Sequence, residues 1–247
     1  MNGKYEFTGE TQVVDGLELR RIRATDTFSD VVRGELGGWV ERESNLSQGG
    51  NAWVYDNAKV CGNAKVYGSA KVCDNALVCG SAQVCGNAKV YGSAKVCDNA
   101  LVCGSAKVFD NAWVYGSAEV RDNALVCGSA KVFDNAWVYG SAEVCDNAWV
   151  YECARVYGIA NVSGHANICG NAEVRLADDY AVFKNCWSSG RWFTYTSSNR
   201  MWKAGCFYGK GKQLVEKAYA DSELSGRCYG AVVAAMEEIE AAKMGRS

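Results

Sequence analysis

Apolar and polar positions along residues 51–175 follow a period of six with almost no interruption, as in NAWVYD NAKVCG NAKVYG SAKVCD NALVCG. Val or Ile recurs at every sixth position, from Val54, Val60 and Val66 to Ile168 and Val174. Ala stands two residues before each, from Ala52 to Ala172. Residues two apart on an extended segment point the same way, so Ala and Val share an inner face. Their neighbours, such as Lys59 and Cys61 around Val60, point outward. The remaining pair, Gly or Asp followed by Asn or Ser, tolerates the unusual φ of a turn. Each hexad therefore predicts a short strand and a corner. Three hexads close a triangular coil of 18 residues, and the 21 hexads predict about seven coils around a narrow, dry core.

The flanks depart from this pattern. In residues 1–50, Tyr5–Phe7, Gln12–Val14 and Leu17–Ile22 are predicted as short strands with Asp15-Gly16 as a hairpin turn. A solenoid end exposes backbone groups and core side chains, so this segment is expected to be an N-terminal β cap. Residues 51–175 form the solenoid, and 176–247 a C-terminal module of mixed α and β structure. Within that module Gln213–Ala220 and the stretch from Leu224 onward carry helical spacing, with Cys228, Ala231, Val232, Ala235, Met236 and Ile239 on one face.

The pattern V-x-[GD]-[NS]-A-x, as in Val60-Cys61-Gly62-Asn63-Ala64-Lys65, resembles the hexapeptide-repeat left-handed β-helix class over half of the chain. The fold expected is mainly β, a left-handed parallel β-helix with an N-terminal β cap and a C-terminal helical module. The left hand is implied by the resemblance alone. With the leader around Glu35-Leu-Gly-Gly-Trp39 and the tail Arg191-Trp-Phe-Thr-Tyr195, the chain also looks like uncharacterised hexapeptide proteins of bacteriophages and prophages. Many members of the class are trimeric acyltransferases, some with zinc held by three His and others with one His as general base. This chain has one, His165, which excludes the three-His metal branch. His165 occupies a corner position elsewhere filled by Asn or Ser. No loop longer than the repeat interrupts residues 51–175 to wall a substrate pocket, so it is a weak catalytic candidate.

Composition narrows the choices further. The formal charge is -2, and residues 51–175 carry 10 Lys/Arg against 11 Asp/Glu, which argues against long duplex nucleic acid and against DNA mimicry. No apolar run reaches the length of a membrane span and the N-terminus has no signal-peptide core, so a cytoplasmic protein is expected, in a host cell if phage-encoded. Of the 13 Cys, nine sit just after the Val and alternate with Tyr and Phe, as small apolar fillers that remain free thiols. No C-x2-C cluster suggests a metal, and neither metal nor cofactor is expected.

Two groups of residues could bind an anion or a partner. On the coils, residues 18 apart stack, giving one column with Lys71, Lys89 and Lys107 as an anion candidate and another reading Lys95, Trp113, Lys131 and Trp149, whose outward Trp113 and Trp149 could mark a partner surface. In the tail, Arg191, Trp192, Tyr195, Arg200, Trp202, Lys203, Lys210 and Lys212 interleave aromatic and basic groups, suited to stacking a base and holding a phosphate. Near copies with a period of 24, beginning at residues 68, 92 and 116, turn by one face each and scatter equivalent residues around the prism. The function expected is a non-catalytic binding scaffold. It would interfere with a host defence system by binding a host protein or sequestering a nucleotide-like anion, as a monomer or a homo-oligomer (dimer or trimer). The alternatives are an acyltransferase using acyl-CoA with His165 as base, and a structural spacer in an assembly.

Overall fold

The structure, a computed structural model, describes residues 3–245; the outermost residues of both terminal segments lie outside it. Every hexad forms a two-residue strand, from β4 (Trp53–Val54) to β24 (Glu173–Val174), and strands three apart in sequence are neighbours. They build three parallel sheets, the faces of a parallel β-solenoid. Register is strict: Lys89 lies between Lys71 and Lys107, and Val90 between Val72 and Val108. The coils are tied by backbone hydrogen bonds along the solenoid axis, as from Lys59 N–H to the Ala76 carbonyl at 2.9 Å and from Cys61 N–H to the Val78 carbonyl at 3.0 Å. Every Ala and Val of the repeat is buried. Burying each Val contributes about 1.5 kcal/mol or more.

The corners are held by more than turn propensity. Each Gly or Asp there has positive φ, for instance +59° at Asp98 and +69° at Gly104. The Asp carboxylates reach one coil onward and accept a corner N–H, Asp74 from Gly92 at 2.8 Å and Asp98 from Gly116 at 3.0 Å. Asp is thus chosen at a left-handed position because its side chain satisfies a donor that no strand partner reaches.

At the N-terminal end, β1 (Tyr5–Val14) and β2 (Leu17–Ala24) form an antiparallel hairpin, and β3 (Leu36–Val40) joins the first face. The two expected strands Tyr5–Phe7 and Gln12–Val14 are one bulged strand. Val40 pairs with Val60 and Leu46 bridges to Val66, so this segment already winds as a coil. The solenoid has about eight turns rather than seven. The extra turn is out of phase because both pairings are 20 residues apart instead of 18, two residues being inserted at the corner before Trp53. Fully buried Trp53 closes this end, with the edges of Tyr5 and Phe28 at 6.3 and 5.5 Å between centroids. The Lys4 ammonium donates to the Ala52 carbonyl at 2.7 Å, and burial lowers its pKa to about 8.

At the other end, β25 (Tyr180–Lys184), β26 (Trp192–Thr196), β27 (Met201–Ala204) and β28 (Phe207–Gly209) form an antiparallel sheet, followed by α1 (Gly211–Asp221) and α2 (Glu223–Met244). One side of the sheet supplies acceptors to the last coil. Thr194 Oγ1 accepts from Asn167 N–H at 2.9 Å, the Tyr180 hydroxyl from Ser163 N–H at 3.2 Å and Ser198 Oγ from Glu173 N–H at 2.8 Å. Without them those donors would be unpaired at a solenoid edge. The other side buries Phe193, Tyr195 and Trp202 against Leu214, Val233 and Met236 of the helices. No described helix is long and apolar enough to cross a membrane.

Candidate functional site

A groove of about 740 Å³ lies between the last three rungs of the first face and the overhanging C-terminal sheet. Strict register aligns Lys131, Trp149 and Asn167 on its floor, with Phe133 and Tyr151 two residues after Lys131 and Trp149, just past their strands. Trp192 and Lys203 come from the sheet, Arg191 from the residue just before it, and His165 from the corner that precedes Asn167. The aromatic rings brace one another. Phe133 and Tyr151 stack at 4.9 Å with planes 1° apart, and His165 stacks on Trp192 at 4.8 Å. The Lys131 ammonium sits 4.9 Å from the Trp149 ring centre, Lys203 5.8 Å from Tyr151 and Lys184 5.5 Å from Trp192. Burial first, then a hydrogen bond with Cys169, pushes the Tyr151 hydroxyl well above its usual pKa, so it stays a neutral group.

Three cations line this groove, and among the described residues no carboxylate does. That imbalance can stabilise an anion, because a cation held over an aromatic face keeps its charge while part of its hydration is replaced by the ring. Trp149 is 41% exposed and Trp192 38%, enough to offer a planar ring a stacking surface. His165 has an aromatic neighbour rather than an orienting acid in the lining, the opposite of what positions a general base.

The sequence-predicted residues divide. Arg191, Trp192, Lys203, Trp149 and His165 converge in the groove, and Trp113 continues its floor one rung beyond Lys131, 5.2 Å from that ammonium. Tyr195 and Trp202 lie on the other side of the sheet, among the core residues under the helices. On that side Arg200, Lys210 and Lys212 line a separate cavity of about 540 Å³ together with Tyr195, Trp202, Glu237 and Glu240. There the Lys210 ammonium donates to the Asn199 carbonyl at 2.7 Å, and Lys212 lies 3.9 Å from Glu216. The eight tail residues therefore do not form one site, because strand alternation sends neighbours to opposite sides of the sheet.

Lys71, Lys89 and Lys107 do stack on the second face, away from the groove. Lys71 is already engaged, 2.5 Å from the Asp30 carboxylate of the N-terminal cap. Its hydrogen bond holds the Asp30 pKa down to about 2. An anion ladder over all three lysines is thereby closed at one end.

Sequence reasoning passed over Lys131, Phe133 and Tyr151 as ligand-facing groups, although the 18-residue alternation of Lys with Trp was visible. It also treated the repeat cysteines as free fillers. They lie on the outer surface, mostly half-buried, and Cys127 and Cys145 are joined by a disulfide between successive rungs.

Comparison with known proteins concerns the repeat. Residues 82–96 match a family model described as YdcK Beta solenoid repeat. A stretch of 38 residues is 53% identical to a protein of Escherichia coli (strain K12) named "Uncharacterized acetyltransferase YdcK", covering 15% of this chain and 12% of that protein's length. Both similarities are short, and with the observed stacking of hexads they identify the chain as a β-solenoid repeat protein.

Proposed function

We propose that this protein is a non-catalytic binding scaffold whose groove takes a small anion bearing a planar ring, of the nucleotide class. The observation that carries the reading is the lining itself: Lys131, Arg191 and Lys203 beside the part-exposed rings of Trp149 and Trp192, without a described carboxylate. A base stacked on an aromatic side chain contributes about 1–3 kcal/mol, and each charge-assisted hydrogen bond to phosphate about 1.5–3 kcal/mol. In this reading the long solenoid is a frame that sets distance, and the working surface is its C-terminal end. Sequestration of a nucleotide-like molecule in a host cytoplasm is the form of interference to which such a groove is suited.

Titration of ATP, AMP and pyrophosphate into the full chain, followed by tryptophan fluorescence and calorimetry, tests the proposal. ATP should bind more tightly than ringless pyrophosphate. Trp149→Ala should weaken ATP about tenfold, one decade per ~1.4 kcal/mol. The double substitution Arg191→Ala/Lys203→Ala should weaken it at least as much. A folded protein that binds no nucleotide at millimolar concentration refutes it.

A second reading, an acyltransferase with His165 as base, is favoured by the position of His165 in the groove and by the name of the E. coli relative. Turnover of acetyl-CoA that His165→Ala abolishes would establish that reading and displace the first.

A further inference from the structure

On the first face, Cys61, Cys79 and Cys97 occupy the same repeat position on three successive rungs. Their neighbours Val60, Val78 and Val96 are paired in register. The Sγ atoms of Cys79 and Cys97 are 3.0 Å apart, and Cys61 lies on the adjacent rung on the other side of Cys79, Val60 being paired with Val78. Cys79 is therefore the middle of a sulfur stack, partly open to solvent, with a neighbour above and below. Farther along the solenoid, on the second face, Cys127 and Cys145 stand in the same 18-residue relation with Cα atoms 4.6 Å apart and are bonded. That separation is within the range a disulfide spans, so rung geometry itself permits the bond.

We propose that this stack is a peroxide-reactive modification site, with Cys79 as the nucleophile and Cys97 as the resolving thiol. A thiolate is the reactive form of cysteine, and a sulfur flanked by a thiol on either side can keep its negative charge once both neighbours turn their S–H groups toward it. Accordingly the Cys79 thiol is held far below its usual pKa by the Cys61 and Cys97 donors and, more weakly, by the Lys95 ammonium. Cys61 and Cys97 are pushed far above theirs. The other charges around the stack are Asp98 beside Cys97, and Glu41 and Asp15 beside Cys61, which keep those two thiols protonated. Cys73, stacked between Tyr55 and Tyr91 instead of between sulfurs, is raised to about 11 by burial.

The Cys79 thiolate attacks one oxygen of hydrogen peroxide. The O–O bond breaks, giving a sulfenic acid and hydroxide. Cys97 then attacks the sulfenic sulfur, the S–S bond forms, and hydroxide leaves and takes the Cys97 proton. The sum is two thiols and one peroxide to one disulfide and two waters.

The reduced full chain is alkylated with iodoacetamide at pH 6 and, separately, treated with one equivalent of hydrogen peroxide; modified sites are mapped by tandem mass spectrometry. At pH 6 an ordinary thiol is below about 1% thiolate. Cys79 should react at least about tenfold faster than Cys73 or Cys85, and peroxide should give a Cys79–Cys97 linkage that Cys79→Ser abolishes. In Cys61→Ala/Cys97→Ala, which removes both neighbouring donors, with circular dichroism unchanged, Cys79 should lose that advantage and react with a pH profile rising through about 8–9. Cys79 alkylating no faster than Cys73 overturns the proposal. So does a first linkage between Cys85 and Cys103, or an acid-active Cys79 that survives the double substitution.

Discussion

Replacing Gly104 by Ala tests whether the corners are set by backbone conformation alone or also by how closely successive coils approach. Gly104 has φ +69°, and a Cβ there would stand 2.7 Å from the backbone nitrogen of Asp122 and 2.9 Å from its Cα and carbonyl oxygen. Backbone of the next coil has no flexible end to swing aside. Gly164 has nearly the same φ, +66°, but lies on the last coil, and a Cβ there meets nothing within 4 Å. An L-residue in the left-handed region costs about 1–2 kcal/mol, which is the whole expected penalty at Gly164. Gly104→Ala adds an overpacking term of about 1–3 kcal/mol, for a total of about 2–5 kcal/mol. Urea unfolding followed by far-ultraviolet circular dichroism measures both, compared as midpoint shifts at unchanged slope. Equal shifts would refute the role assigned to coil-to-coil approach. No shift in either would refute the strain argument altogether.

Three further outcomes are expected. Trp53→Ala should cost about 3–5 kcal/mol as it opens the N-terminal end of the core, whereas Trp53→Phe should cost about 1.5 kcal/mol or less. The smaller cost reflects removal of a buried Nε1–H that has no partner among the described residues; equal losses in thermal unfolding would contradict this. The folded Asp30 pKa of about 2 lies below its unfolded value, about 3.9, so the Asp30–Lys71 pair stabilises fully above that value and fades as pH falls toward 2. The carboxylate is half exposed, so its contribution is under ~1 kcal/mol. Asp30→Asn should lose less melting temperature than wild type between pH 5 and pH 2, and identical losses would negate the pairing. Raising salt tenfold from about 50 mM should weaken nucleotide binding by the wild type more than by Arg191→Ala/Lys203→Ala; equal salt slopes would remove those two cations from the site.

The coil was legible in the sequence because its information is local. Ala and Val two residues apart choose the inner side, Gly or Asp permits the corner, and closing each coil with three hexads sets the register, so Lys89 lies between Lys71 and Lys107 as the 18-residue columns require. The same logic hid the first turn, since two inserted residues put Val40 and Leu46 out of phase with the repeat. The groove was legible in kind but not in membership. Arg191 and Lys203 belong to it whereas Arg200, Lys210 and Lys212 do not. Nothing in their spacing separates them, because the choice is made by which side of β26–β27 each residue occupies once Thr194 and Tyr180 have docked onto the last coil. Burial of Tyr195 and Trp202 under α1 and α2 likewise depends on that docking. The sequence by itself determined the repeating frame, whose contacts are the same at every rung. Tertiary structure decided the site, which exists only where residues 131–167 of the frame meet residues 191–205 of a differently folded module. Such a meeting is a long-range contact and leaves no periodic trace in the chain.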